Sequence, residues 1–161
     1  MLTYETLETP DGPFTVIEDH EAVVAAGWSA DAQAVLARSA RRGEAAAPGQ
    51  VAAAGAVRAF YRGDADAAAS VRIGPAGTDF RMRVWDALRA IPAGQTRTYG
   101  EVAAALGSPN ASRAVGAACG ANAIALFIPC HRVTGSNGAL TGFAWGVDVK
   151  RSLLAREMPA R

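Results

Sequence analysis

The sequence has little cysteine, little histidine and no long apolar run. Only two of the 161 residues are Cys and two are His, too few for a disulfide framework and at no spacing typical of zinc ligands. No apolar run approaches the roughly 20 residues that a membrane-spanning helix needs. The opening residues MLTYETLETPDG lack the basic start and apolar core of a secretory signal. We therefore expect a cytoplasmic protein without a membrane segment, a disulfide or a bound metal.

Charge is distributed unevenly along a chain that otherwise has the composition of a folded protein. Half of the residues are hydrophobic, 19% are charged and the formal net charge is +1. Residues 1–75 carry six Arg or Lys against ten Asp or Glu, whereas residues 76–161 carry ten against five. A basic second half favours contact with a polyanion, although this excess also occurs in proteins that bind no nucleic acid.

The first half predicts a small α/β lobe. Turn residues separate three β-like stretches and predict an antiparallel meander over residues 3–10, 14–19 and 22–28. Two alanine-rich stretches predict helices over residues 31–48 and 50–64. Small residues, Gly and Pro between 64 and 78 predict a boundary, so we expect a lobe at 1–75 and a domain at 76–161.

The second half opens with a strong helical pattern. Apolar residues recur at helical spacing and predict a helix that stops before Pro92, with an inward stripe of Phe80, Val84, Trp85, Leu88 and Ile91. Thr98 and Glu101 match a capping box, which predicts a helix start. That helix should end at Gly107, and Ser108 and Pro109 should cap and begin the next one. Such spacing is typical of a helix-turn-helix.

The second helix of this pair, predicted over residues 109–119, has almost no large side chains. Most of its residues are Ala or Gly, and Arg113 is its one long side chain. A helix that reads the major groove needs several polar side chains to reach base edges, and this helix has almost none. A bare helix can approach a minor groove or another helix, and on the residues alone packing against protein is the commoner use.

Cys130 stands directly before His131, at the end of an apolar run over residues 123–129 that predicts a short strand. A metal site would need about four ligands, and His20 and Cys119 lie at no ligand-like spacing. A buried structural thiol is the plain alternative, and it suits Cys119. For Cys130 the polar residues that follow favour a binding or reactive position.

A reactive thiol here needs a base, because only about 3% of an ordinary thiol is ionised at pH 7. Consecutive side chains diverge, so His131 would reach the Cys130 sulfur through a bend or a bridging water. The second ring nitrogen of His131 needs a partner, and Glu157 is a candidate. Glu157 lies on a predicted closing helix, residues 147–157, with Val149, Leu153 and Leu154 facing inward. The Gly-rich residues 134–146 predict a loop or hairpin.

These motifs together resemble the O6-alkylguanine-DNA alkyltransferases, also called methylated-DNA–protein-cysteine methyltransferases. The resemblance runs from Phe80 to Glu157 in the family's order, through VWDALRAIPAGQTRTYGEVAAALG, SRAVGAACGAN, IPCHRV, GALTGF and KRSLLARE. AACGAN and WGV look most like the methyltransferase half of the bacterial adaptive-response protein. The first lobe is similar to the family only through ETPDGPFTVIED.

The resemblance implies an α/β (α+β) fold. It consists of a ribonuclease-H-like lobe with an antiparallel sheet and a helical, winged-helix-like DNA-binding domain. It also implies a suicide reaction without a cofactor. Cys130 would take the alkyl group from O6-alkylguanine, and from O4-alkylthymine, in double-stranded DNA bound by a monomer through the minor groove. His131 would be the base, Glu157 would orient it and Asn122 would brace the turn.

The resemblance further implies base flipping. Tyr99 would help rotate the nucleotide outward and donate to O6, and Arg113 would fill the vacated space in the stack. The full DNA- and base-binding set implied is Tyr99, Arg113, Ala114, Gly116, Ser136, Val133 and Ala144. The chain departs from the family pattern at Phe143 and Trp145, which leaves the preferred alkyl group open. A sensor that only binds alkylated DNA and a cysteine hydrolase are the alternative functions.

Overall fold

The computed structural model describes residues 1–75, 77–140 and 142–158. The chain divides into two compact units, Met1–Ala76 with Ala123–Phe127 and Gly77–Asn122 with Ile128–Arg161. A sheet in the first unit and a set of helices in the second confirm the predicted fold class. The predicted division at residue 75 does not include the segment 123–127 and stays a prediction. Residue 76 of the predicted boundary and residue 141 of the predicted loop lie outside the described residues.

The first unit is built on a four-stranded sheet of order β3-β2-β1-β4. The antiparallel meander predicted from the turn residues is confirmed, with bounds β1 Leu2–Thr9, β2 Gly12–Asp19 and β3 Ala22–Gly27. Gly12 takes the positive φ, 99°, of the first turn, a conformation that costs glycine little. The fourth strand, β4 Ala46–Pro48, pairs parallel to β1 and was not predicted.

Two helices accompany this sheet, and one of them is much shorter than predicted. Helix α1 spans Ala32–Leu36, capped by the Asp31 carboxylate, so the helix predicted over residues 31–48 is wrong beyond residue 36. Leu36 is the last of its buried apolar residues, and Gly43 then turns the chain with φ 86° toward β4. Helix α2, Ala54–Tyr61, lies within the predicted range.

The second unit contains four helices among its described residues and a two-stranded parallel sheet. The helices are α3 Asp79–Arg89, α4 Tyr99–Ala105, α5 Ser112–Gly120 and α6 Val147–Glu157, and the strands are β5 Arg97–Thr98 and β6 Val133–Thr134. The predicted inward stripe is confirmed at four buried residues, Val84, Trp85, Leu88 and Ile91, whereas Phe80 is only half-buried. The Trp85 indole N–H donates to the Ala118 carbonyl at 2.9 Å and so ties α3 to α5.

The predicted boundaries of the helix-turn-helix are confirmed for α4 and wrong for the start of α5. Thr98 and Glu101 form the predicted capping box, and Gly107 ends α4 with φ 75°. Helix α5, however, begins at Ser112 and not at Pro109. The Ser108 N–H donates to the Ala103 carbonyl at 3.0 Å, while Gly107 N–H donates to Ala104, which is a Schellman closure. Ser108 thus contributes its backbone N–H to the end of α4, while α5 begins after Ala111 without a side-chain cap.

The apolar run over residues 123–129 is buried but is not the predicted strand. Only Ile124 forms a bridge, to Ala26, and the chain then turns at residues 125–127 with Leu126 at φ 74°. Helix α6 differs from the prediction as well. Leu153 faces inward as expected, whereas Val149 and Leu154 are only half-buried, and the inward positions are taken by Lys150 and Glu157.

Candidate active site

Cys130 opens a single 3₁₀ turn, Cys130–Arg132, that presents its side chain while burying its neighbours. The Cys130 N–H donates to the Ile128 carbonyl at 2.8 Å, and the Arg132 N–H donates to the Pro129 carbonyl at 2.9 Å. Pro129 and His131 are buried, whereas Cys130 is partly exposed. The turn therefore leaves this thiol within reach of a reactant on an otherwise closed segment.

Asn122, two residues after the end of α5, contacts this turn through its side-chain amide. Its Nδ2 donates to the Ile128 carbonyl at 2.9 Å and to the Cys130 Sγ at 3.2 Å. Asn122 is itself buried, so its amide is held in place. A hydrogen bond donated to sulfur favours the thiolate over the thiol.

His131 lies beside a buried carboxylate and guanidinium. Its Nε2 is 2.8 Å from Glu157 Oε2, and both side chains are fully buried. Arg132 donates to the same carboxylate twice, through Nε at 3.0 Å and Nη2 at 2.7 Å. Glu157 thus accepts from two neighbouring residues of the 3₁₀ turn.

Burial and charge set the protonation of this group. Burial lowers the pKa of His131; Glu157 opposes this by hydrogen bond and charge, while the charges of Arg132 and Lys150 lower it further. Burial alone would raise the pKa of Glu157, but hydrogen bonds from His131 and Arg132 outweigh it and hold that pKa below its ordinary value. The group is therefore a carboxylate, a guanidinium and a neutral imidazole near pH 7.

The neutral imidazole has a defined tautomer. Because Nε2 faces a carboxylate, it carries the hydrogen, and Nδ1 is then the acceptor nitrogen. The buried Nδ1 has no hydrogen-bond partner among residues 1–75, 77–140 and 142–158. A buried acceptor of this kind, on the residue next to a thiol, is suited to receive a proton from that thiol.

Two further side chains lie in the surroundings of Cys130. Lys150 is buried, and its Nζ donates to the Val133 carbonyl at 2.7 Å. Burial lowers the pKa of Lys150, while the charges of Cys130 and Cys119 raise it. Burial raises the pKa of Cys119 to about 12, so this second thiol stays protonated. Neither cysteine is in a disulfide.

Sequence reasoning missed Lys150, although a signal was present. Lys150, Leu153 and Glu157 follow one another at three- and four-residue spacing on the buried side of α6. A lysine at an inward helical position must find a polar partner, and this one finds a backbone carbonyl next to the turn that carries Cys130.

A cavity of about 450 Å³ brings together four of the predicted base-binding residues. Tyr99, Arg113, Gly116 and Ser136 line it, together with Thr98, Gly100 and Ser112. Tyr99 is the first residue of α4, and Arg113 is near the start of α5. The parallel pairing of Thr98 with Thr134 brings the start of α4 to the segment that contains Ser136.

The other three predicted residues are not among the residues that line the cavity. Ala114 is exposed on α5, Ala144 is exposed in the loop before α6, and Val133 is buried in β6. Along α5 the exposed positions are Arg113, Ala114, Ala117 and Gly120, whereas Val115 and Ala118 are buried. The exposed face of α5 is therefore almost flat, with one cation near its start.

No group of three or more His, Cys, Asp or Glu residues that could hold a metal occurs in the part of the chain that the structure describes. Within the same residues, no helix has both the length and the apolar character needed to span a membrane.

Comparison with known proteins identifies the family. The profile of the 6-O-methylguanine DNA methyltransferase DNA binding domain matches residues 79–159. The chain belongs to this family. A methylated-DNA–protein-cysteine methyltransferase of Methanosarcina acetivorans is 56% identical over 87 residues, which are 54% of this chain and 56% of that protein. One of Salmonella typhimurium is 51% identical over 98 residues, 61% of this chain and 57% of that protein.

Solved structures from the family match over nearly the whole chain. The Mycobacterium tuberculosis O6-methylguanine methyltransferase is 36% identical with a TM-score of 0.79, covering 100% of this chain and 97% of that one. The same organism's OGT in complex with DNA is 35% identical with a TM-score of 0.79, covering 98% and 96%. The sequence alignments are shorter, so the chain spans little more than half the length of the curated relatives it matches.

Proposed function

We propose that this chain repairs DNA by direct reversal. It transfers an alkyl group, irreversibly and once per molecule, from O6-alkylguanine or O4-alkylthymine in double-stranded DNA to Cys130. The observation that carries this proposal is a partly exposed sulfur that accepts a hydrogen bond from Asn122 and precedes a buried neutral imidazole. The names of the related proteins, which describe methyl transfer from DNA to cysteine, support the same reaction.

The chemistry balances without a cofactor. The Cys130 proton passes to His131 Nδ1 through a bridging water, and the thiolate attacks the alkyl carbon in line with the bond to O6. The sulfur–carbon bond forms as the carbon–oxygen bond breaks. The guanine that leaves takes up one proton from water, and the His131 imidazolium returns one proton to water, so that no net proton is gained or lost. Asn122 stabilises the sulfur while it is charged, and Glu157 keeps the imidazole oriented. The thioether has no route back to a thiol, so the protein is consumed.

The helix-turn-helix would bind the DNA. The flat exposed face of α5 lets that helix lie in the minor groove, where bulky side chains would clash. Flipping a base costs a few kcal/mol, and Arg113 would offset part of this cost by entering the vacated space. The extruded base would occupy the cavity lined by Tyr99 and Ser136, with the Tyr99 hydroxyl donating to O6. We further propose that the protein acts as a monomer in the cytoplasm.

A titration separates this function from its two alternatives. Increasing amounts of a duplex with one O6-methylguanine are added to a fixed amount of protein, and the restored guanine is measured. Repair should stop at one equivalent of DNA per protein. A sensor that only binds would restore no guanine. A cysteine hydrolase would continue past one equivalent.

A further inference from the structure

Arg132 lies within the site, but none of the steps proposed for the transfer reaction uses it. Its three guanidinium nitrogens all donate: Nε and Nη2 to the two oxygens of Glu157, and Nη1 to the Ile91 carbonyl at 2.7 Å. Arg132 is 8% exposed, and the Glu157 side chain is fully buried. The guanidinium therefore fixes the carboxylate that contacts His131 and anchors it to the segment that follows α3.

The charges around His131 come from two elements. Glu157 and Lys150 lie on α6, and Arg132 and Cys130 lie on the 3₁₀ turn with His131 itself. An isolated buried carboxylate at 2.8 Å would pull a proton onto the imidazole. Here the carboxylate is already paired with a guanidinium, and a second cation, Lys150, acts on His131 from α6. An imidazolium would add a third positive charge to a group that already contains the Arg132 guanidinium and is affected by Lys150.

We propose that Arg132 is a positioning residue which, by holding both oxygens of Glu157, keeps His131 neutral and its Nδ1 open to the Cys130 proton. The value of this for alkyl transfer rests on the proposed function, whereas the effect on His131 does not. An arginine suits the role because its planar fork matches a carboxylate with two bonds and still has a nitrogen for Ile91. A lysine in its place would keep the charge and lose the fork.

The test measures the imidazole directly. His20→Gln leaves His131 as the single histidine, so NMR of the ring carbons across a pH series reports one titration. In this background Arg132→Gln should raise the titration midpoint of His131 by about 1–3 pH units, since the unpaired carboxylate then favours the charged imidazole. Arg132→Lys is the matched control. It keeps the positive charge but not the two parallel bonds to Glu157, so its midpoint should lie between those of the parent and Arg132→Gln.

Two more variants keep the test decisive if Arg132→Gln does not fold. In Glu157→Gln the unopposed guanidinium lowers the His131 midpoint, and in the double variant Arg132→Gln/Glu157→Gln that cation is absent. The double variant should therefore titrate about one pH unit or more above Glu157→Gln. Equal midpoints in these two variants, or an unchanged midpoint in a folded Arg132→Gln, would overturn the proposal.

The transfer reaction supplies the second readout. When the single-turnover rate is plotted against pH, the fall in rate on the acid side should shift to higher pH in Arg132→Gln, by the same amount as the NMR midpoint. The rate on the alkaline plateau should change much less. A purely structural role for Arg132 would lower the plateau and leave the midpoint in place. Failure of the proposed function would appear as no methyl transfer by the parent protein, with the NMR result unaffected.

Discussion

Replacing Glu157 with alanine should destabilise the second unit strongly. The carboxylate accepts hydrogen bonds from Arg132 at two positions and lies 2.8 Å from the His131 ring nitrogen, all without solvent contact at the carboxylate side chain. Its loss leaves the Arg132 guanidinium buried without its counter-charge. Removing one partner of a buried ion pair costs about 3–5 kcal/mol. For a chain of this size, that loss corresponds to a fall in melting temperature of roughly 6–20 °C.

Thermal and urea unfolding, followed by circular dichroism, measure this loss. The matched control is Asp148→Asn on the same helix, because Asp148 also pairs with an arginine, Arg151, but its side chain is fully exposed. The control should unfold like the parent protein, since exposed pairs are screened by water. A Glu157→Ala variant that unfolds within about 1 kcal/mol of the parent would refute the view that this carboxylate balances a buried cation.

Three other predictions follow from the site. Asn122→Ala should slow alkyl transfer about 10- to 100-fold in single-turnover assays, because a hydrogen bond to a charged atom is lost at the sulfur, and an unchanged rate would remove Asn122 from that role. Arg113→Ala should slow repair of duplex DNA far more than reaction with free O6-alkylguanine base, since only the duplex requires extrusion; equal losses would contradict its place in the stack. The free energy of unfolding should fall as the pH drops below about 6.5, because the histidine is protonated there in the unfolded chain while buried His131 stays neutral in the folded protein. His131→Gln should weaken this pH dependence.

Local signals along the chain were sufficient to predict most of the helices. The capping box at Thr98 and the apolar stripe of α3 depend on residues within a few turns of each other. The capping box is confirmed, and the stripe is confirmed except at Phe80. The start of α5 was mispredicted because Ser108 and Pro109 are typical of a helix start, whereas the helix begins three residues later at Ser112 without a side-chain cap. The strand expected before Cys130 is wrong because, in the part of the chain that the structure describes, the run makes a single bridge to Ala26 and then turns at Leu126.

Of the contacts in the site, one was anticipated from the sequence and another was not. The contact between His131 and Glu157 was anticipated, because the second ring nitrogen needs a partner and Glu157 on the closing helix was a candidate. The family resemblance implied the same pair. The contribution of Arg132 to that contact was not anticipated, since an arginine after Cys-His reads equally well as an exposed cation. Its buried place depends on Ile91 and Glu157 converging on it, which only the folded chain reveals.

The most direct measurement is the intact mass of the protein after incubation with a duplex that contains O6-methylguanine. We expect a gain of one methyl group in place of one hydrogen, located by peptide mapping on Cys130, and no gain in Cys130→Ala. A protein that keeps its mass while the damaged duplex is bound, or a methyl group found on Cys119, would contradict the assignment of Cys130 as the acceptor.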